Sequence, residues 1–335
     1  MDPLTHGLAS FALQRGFFPR ASWRTLLAIL FAGIVADVDS LSASFGPAAY
    51  LRWHRTITHS LVFILMLAFA AFLFSKTRRD GEPSVQWAGF SWIAILAVSA
   101  LHLVMDLLQT DAVVPLWPFS TKRISLDIEP AIDPWLLVIL ASAILIPELL
   151  HLVSDEIGSR AKRPRGRNGA IAGLGFALIY FGLRASLHAT AVATLEARTI
   201  AGEMPHRVAA FPDSVSPILW HSIIETESAL HLVVMRTTGG EAAYATGITT
   251  LRKPESSPVL AAAQASPAAI RFLRIARFPK AVVQKETEGY SVEIQDLKDL
   301  ATESRNHAIL ADVNLDRSAK VVSSELQWQN NPTRP

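Results

Sequence analysis

The feature that most limits how this chain can fold is a series of long apolar runs in its first 200 residues. Five approach membrane length: residues 25–41, 57–75, 88–108, 134–153 and 170–187. A bilayer core of about 30 Å takes roughly 20 mostly apolar residues as a helix. A soluble core helix could mimic one such run, but five with charged punctuation point to a membrane. Trp23, Trp53, Trp87, Trp92, Trp117 and Trp135 fall at or near the proposed ends. An indole suits an interface because its body is apolar and its N–H is polar. The expected fold class is a mainly α polytopic membrane helix bundle of about five spans plus a short N-terminal helix. A small C-terminal β-rich or α+β soluble domain would follow, with the membrane domain over 1–200 and the soluble domain over 201–335.

Basic residues give this arrangement a side. The overall charge of +2 says little, since 31 basic and 29 acidic residues nearly cancel, and it gives no hint of a nucleic-acid partner. Their placement is uneven. Three stretches that would share one side hold Arg15, Arg20 and Arg24, then Lys76, Arg78 and Arg79, then Arg160, Lys162, Arg163, Arg165 and Arg167. The other two loops hold Arg52, Arg55, Lys122 and Arg123. The positive-inside rule puts the first set in the cytoplasm and the tail outside a bacterial inner membrane. Residues 4–13 read as a short helix. They are not a signal peptide, because the basic residues follow the apolar run. In the tail, residues 222–235, 290–294 and 308–315 have strand-like alternation, and 267–277 reads as a helix.

Polar groups then stand where lipid would be, and such groups are functional candidates by default. Asp37 and Asp39 lie in ADVDSL, His54, Arg55 and His59 in HRTITHSL, and His102 and Asp106 in HLVMD. The topology brings all three motifs to one membrane face. His102 and Asp106 are four apart, so they share a helix face and can bind one metal ion. Asp37 and Asp39 are about 200° apart on an ideal helix. Both face one site only if the helix end unwinds; otherwise one is a ligand and the other supports it. His6, in THGLAS, could join from the short helix. The chain has no cysteine, so a metal would sit on oxygen and imidazole nitrogen. Zinc fits best, with manganese or iron as alternatives. Ser60 beside His59 and Ser40 beside Asp39 supply the types for a serine triad, but no G-x-S-x-G elbow is present.

The series MDPLTHGLAS, ADVDSL, HRTITHSL and HLVMDLLQTDAVVPLWPFS resembles the bacterial membrane-bound metal-dependent hydrolases of the LexA-binding inner-membrane type. The motifs fall in family order over about residues 1–120. The order is also similar to the zinc-dependent phospholipase C and single-strand nuclease superfamily, which His6, Asp37, His59, His102 and Asp106 would match. The resemblance implies hydrolysis of a phosphoester in a lipid or other amphipathic substrate, at one or two metals. The metal set would be His6, Asp37, Asp39, His54, His59, His102 and Asp106. Arg55 would fork onto the phosphate, and Asp39 or Asp111 would take the water proton. A proton- or metal-coupled transporter and a non-catalytic membrane interaction protein are the competing readings.

Overall fold

A computed structural model describes residues 1–19, 23–76, 85–156, 166–238, 240–302 and 308–329. Arg20, Arg78, Arg79, Arg160, Lys162, Arg163 and Arg165 lie outside the described residues, as do the side chains of Arg24, Lys76, Trp87, His151 and Asp155. The chain forms two compact units, Met1–Asp39 with Arg55–Ala185 and Ser40–His54 with Ser186–Pro335.

The first unit is helical. Helix α1 (Pro3–Phe17) starts where the Asp2 carboxylate accepts from Thr5 N and Pro3 occupies the first turn. Helix α2 (Trp23–Ile34) continues as a 3₁₀ helix over Val35–Phe45. Helix α3 (Pro47–Trp53) belongs to the second unit. Helices α4 (Leu61–Lys76), α5 (Val85–Leu107), α6 (Pro134–Glu156) and α7 (Arg167–Glu196) follow. Helix α5 packs on α1, α2 and α4. Met1, Ala9, Met105, Leu136, Leu140 and Ala177 form one buried cluster, and Ile29, Ala32, Ala94, Ile95 and Val98 another. Helices α1 and α2 touch closely at Gly33, where a Cβ would fall 2.0 Å from Ser10 Oγ.

The five-span bundle is not what forms. Among the described residues are ten α-helices and two antiparallel sheets. Among the described residues, two helical stretches are long and apolar enough to cross a membrane, Thr25–Phe45 and Arg167–Glu196. The other apolar helical stretches among these residues are Leu61–Ala71, Trp92–Leu107 and Pro134–Leu150. Both long stretches expose apolar side chains: Leu27, Phe31, Val38 and Leu41 on the first, and Phe176, Leu178, Ile179 and Leu183 on the second.

In the second unit, β1 (Arg207–Pro212), β2 (Leu219–Glu225), β3 (Ala229–Thr238), β4 (Glu241–Tyr244) and β5 (Thr249–Arg252) make one antiparallel sheet, with β4 and β5 both paired to β3. The apolar stretch 222–235 is thus two strands, joined where Thr226 N donates to Ala229 O. The end of α7 supplies Leu187, Ala191 and Leu195 to a core with Trp220, Ile224 and Met235. Trp220 is fully buried, and its indole N–H donates to Thr237 Oγ1 at 3.0 Å.

Helices α8 (Pro258–Gln264) and α9 (Pro267–Leu273) have serine N-caps, Ser257 and Ser266, each followed by proline. Strands β6 (Pro279–Lys285) and β7 (Gly289–Asp296), helix α10 (Leu297–Ala301), and strands β8 (Ile309–Asp316) and β9 (Val321–Trp328) complete the unit. Strand β8 buries Ile309, Ala311, Val313 and Leu315 at every second position, against α8 and α9. Tyr50 and Leu51 of α3 pack on the same core, and the Tyr50 ring meets Trp328 edge-on at 5.5 Å. That packing is why Ser40–His54 groups with the tail.

A side chain at Gly289 has no room, since a Cβ would fall 1.9 Å from Leu315 O. Gly289→Ala is expected to destabilise the second unit by about 1–3 kcal/mol, the usual scale of overpacking. Denaturant unfolding of the purified chain checks this, and an unchanged midpoint would contradict the close β7–β8 approach.

Candidate metal centre

The site is built on α5. His102 and Asp106 share one helix face, and around them stand His6 from α1, Asp37 from the 3₁₀ helix and His59 from the turn before α4. Burial is nearly complete: Asp106 is 0% exposed, His6 and His59 1%, and His102 3%. The turn carrying His59 is fixed by Ser60, whose hydroxyl accepts from Phe63 N at the start of α4 and donates to Ile57 O. That hydroxyl is a helix cap, not the nucleophile of a triad.

Polar atoms converge tightly. Asp106 Oδ2 lies 2.9 Å from His59 Nε2 and 3.1 Å from His102 Nε2, and the two nitrogens are 3.3 Å apart. His6 Nε2 is 3.3 Å from Asp106 Oδ1, and the His6 ring stacks on His102 at 3.8 Å. Asp37 Oδ1 is 3.7 Å from His102 Nε2 and 3.9 Å from His59 Nε2. One ligand atom from each of His6, Asp37, His102 and Asp106 falls within 4.8 Å of all the others.

The outer nitrogens decide what the inner ones can do. His102 Nδ1 lies 2.8 Å from the Gly33 carbonyl, which can only accept, so Nδ1 carries the proton. His59 Nδ1 likewise donates to Asp39 Oδ2 at 3.1 Å. A neutral imidazole has one donor and one acceptor nitrogen. His102, with Nδ1 as its donor, turns Nε2 toward the Asp106 carboxylate. Burial opposes protonation of His59, but its hydrogen bonds to Asp106 and Asp39 outweigh burial and raise its pKa, so its Nε2 can donate to Asp106. A cation at this point would take the place of that proton. Spacings of this size are those of ligand atoms around one ion bound at about 2.0–2.2 Å. Buried His6 Nδ1 has no hydrogen-bond partner among the described residues. Burial pushes the His6 pKa down to about 3, so its ring is neutral at physiological pH. The group could hold a metal ion.

Arg55 ties the site together. Its guanidinium donates to Gln109 Oε1 at 2.6 Å, to the Asp111 carbonyl at 2.7 Å and to Asp106 Oδ1 at 3.4 Å. Its backbone N–H donates to Asp39 Oδ2 at 2.8 Å, and Thr58 Oγ1 donates to the same oxygen at 2.6 Å. The backbone at Arg55 has φ of +55°, a conformation uncommon outside glycine.

The sequence-predicted residues therefore separate. His6, Asp37, His59, His102 and Asp106 come together. Asp39 stands on the far side of His59 and orients it. Asp111 offers its main-chain carbonyl to Arg55. Arg55 has turned its guanidinium to protein acceptors. His54 lies in the second unit, its ring stacked on Tyr50 at 4.3 Å. Sequence reasoning missed Gln109, the Gly33 carbonyl, Thr58 and the Met1 amino group, which hydrogen-bonds Asp106 Oδ1. Main-chain atoms leave no mark in residue types, and Gln109 carries no charge to draw notice.

Two helical stretches long and apolar enough to cross a membrane thus accompany a buried His/Asp group that could hold a metal ion. The chain belongs to the YdjM inner membrane protein family, whose model matches residues 1–191 and so includes every residue of the group. It is also similar to the uncharacterized protein YfhP of Bacillus subtilis (strain 168), with 25% identity over 154 residues, 44% of this chain and 46% of that protein. The chain thus spans about half the length of that curated relative. No solved structure matches. The likeness to phospholipase C rests on motif order alone.

Removing the Arg55 guanidinium would leave the Asp106 carboxylate buried without this cation. Arg55→Ala is expected to destabilise the first unit by about 3–5 kcal/mol, the usual cost of breaking a buried ion pair. Thermal unfolding in detergent measures this, and a wild-type midpoint would show that the contact contributes nothing.

Proposed function

We propose that the group binds a divalent metal, zinc first with manganese or iron as alternatives, and that the protein is a membrane-bound metal-dependent hydrolase. Its proposed substrate is a phosphoester in a lipid or other amphipathic molecule. One observation carries the reading: two imidazole nitrogens and a carboxylate oxygen, all buried, meet within 3.3 Å of one another. His59, His102 and Asp106 would be the central ligands, with His6 and Asp37 beside them. A bound metal would supply a Lewis acid and lower the pKa of a bound water.

The chain's own groups do the positioning. Asp39 and the Gly33 carbonyl orient the two rings, and Arg55 offsets the charge of Asp106. Asp37 is the most open member, with its side chain 16% exposed, and marks the side from which a substrate would approach. The bilayer is the proposed source of that substrate, since helices of this unit expose apolar side chains.

The proposed location is an inner membrane crossed more than once, with the C-terminal unit outside. Arg160, Lys162, Arg163 and Arg165 precede α7 in the sequence and Arg167 opens it, and the positive-inside rule would keep that end of the helix in the cytoplasm.

Metal analysis of the purified protein is expected to find near-stoichiometric zinc or manganese, lost in His102→Ala with Asp106→Ala. Asp39→Ala is expected to lower metal affinity about 10–100-fold, the usual effect of losing a partner that orients a ligand. An intact, metal-free wild-type protein would end this reading. A screen with phospholipids and soluble phosphoesters on the loaded protein then tests the hydrolase assignment. Reporter fusions at the C-terminus are expected to show an external location; a cytoplasmic signal would reverse the sidedness.

A further inference from the structure

A second buried polar group lies in the first unit, outside the metal-binding set. Glu129 is 0% exposed, and neither of its carboxylate oxygens has a hydrogen-bond partner among the described residues. Arg184 of α7 is equally buried, with Nε 3.6 Å from Glu129 Oε1 and donating to the Ile128 carbonyl at 3.2 Å. Asp133 is the neighbouring acid, and its carboxylate acts on the Glu129 carboxyl. Its own surroundings are different. Asp133 Oδ1 accepts from the backbone N–H of Trp135 at 2.8 Å and of Leu136 at 3.0 Å, and Oδ2 accepts from the Tyr180 hydroxyl at 2.7 Å.

We propose that Glu129 and Asp133 share one proton, carried on Glu129 and donated to Asp133, and that this buried proton site positions the end of α5 that carries Asp106. Charge balance requires it. Two carboxylates and one guanidinium would bury a net charge of −1, which is costly in a low-dielectric interior. One proton brings the group to neutrality. The hydrogen bonds decide where it resides, since three reach Asp133 and, among the described residues, none reaches the Glu129 carboxyl. In this arrangement the Glu129 O–H satisfies one of its oxygens, and Asp133 keeps its three donors.

The link to α5 runs along the backbone. Glu129 N donates to Leu108 O at 2.9 Å, and Asp127 N donates to Gln109 O at 3.3 Å. Gln109 in turn holds the Arg55 guanidinium, which contacts Asp106. Asp133 caps the start of α6, while Tyr180 and Arg184 come from α7. Glu129 is thus a positioning residue.

Burial, reinforced by Asp133 and opposed by Arg184, pushes the Glu129 carboxyl up to about 9. The sign of the pH effect follows. The acid is raised in the folded state, so its contribution to stability is complete below the unfolded value of 4.5 and is lost as pH rises toward about 9. Asp133, Tyr180 and Arg184 are the charged and titratable groups that face it. Glu129→Gln keeps a donor toward Asp133 but cannot titrate.

Infrared difference spectra of the full chain, wild type minus Glu129→Gln, test the proposal at neutral pH. The expected result is a protonated carboxylic acid C=O band from the wild type that fades as pH rises through about 9. A difference showing only ionised carboxylate would overturn it. If Glu129→Gln does not fold, pH titration of the wild-type spectrum serves, and absence of a fading acid band overturns it equally. Thermal midpoints give the positioning readout. The wild type should lose stability from neutral pH toward pH 9, Glu129→Gln should flatten that loss, and Glu129→Ala should be destabilised at neutral pH. A flat wild-type profile would overturn the positioning role. Neither measurement uses a metal, so failure of the metal reading and failure of this one are distinguishable.

Discussion

Two hydrogen bonds on the outer sides of two imidazole rings determine what this site can be. Gly33 O takes the Nδ1 proton of His102, and Asp39 takes that of His59. Each ring is thereby held with Nε2 facing inward, toward a carboxylate that is itself fully buried. The outer hydrogen bonds thus fix which ring atoms face the centre of a group that could hold a metal ion.

Several elements must hold register for this to happen. Close approach of α1 and α2 at Gly33 brings His6 near the helix that supplies both the Gly33 carbonyl and, a few residues on, Asp37. Arg55 then joins the Asp39 carboxylate, the end of α5 and the loop at Asp111 through four hydrogen bonds. Its positive φ marks a place where local conformation yields to those contacts. A conservative replacement by lysine would keep the charge and lose the fork that reaches Gln109 and Asp111 together.

The sequence carried much of the site and less of the fold. His102 and Asp106 were readable because four-residue spacing has one meaning on a helix. Asp37 and Asp39 were readable as a pair with divided roles; the 3₁₀ winding of Val35–Phe45 sets Asp37 near one side of His59 and Asp39 at the other. The apolar runs were visible, but hydrophobicity does not distinguish a helix that crosses lipid from a shorter one that packs on its neighbours. Arg55 looked like a phosphate ligand because its acceptors, a glutamine and a main-chain carbonyl, come from residues more than fifty positions away. Glu129 and Asp133 sat in a loop between apolar runs, where acids ordinarily face water.

The excursion of Ser40–His54 has a consequence for how this chain can be divided. The polypeptide leaves the first unit immediately after Asp39 and re-enters it at Arg55, and the segment between them shares a core with strands far along the chain, β7 to β9. Neither unit is therefore one uninterrupted stretch of gene. A truncation after α7 would strip Tyr50 and Leu51 of their apolar cover, and an isolated tail would lack the helix that fills its core. Of the three peptide junctions between the units, two are flanked by Asp39 and Arg55, which hold the His/Asp group, so shuffling the tail together with Ser40–His54 among relatives would mean recutting the site.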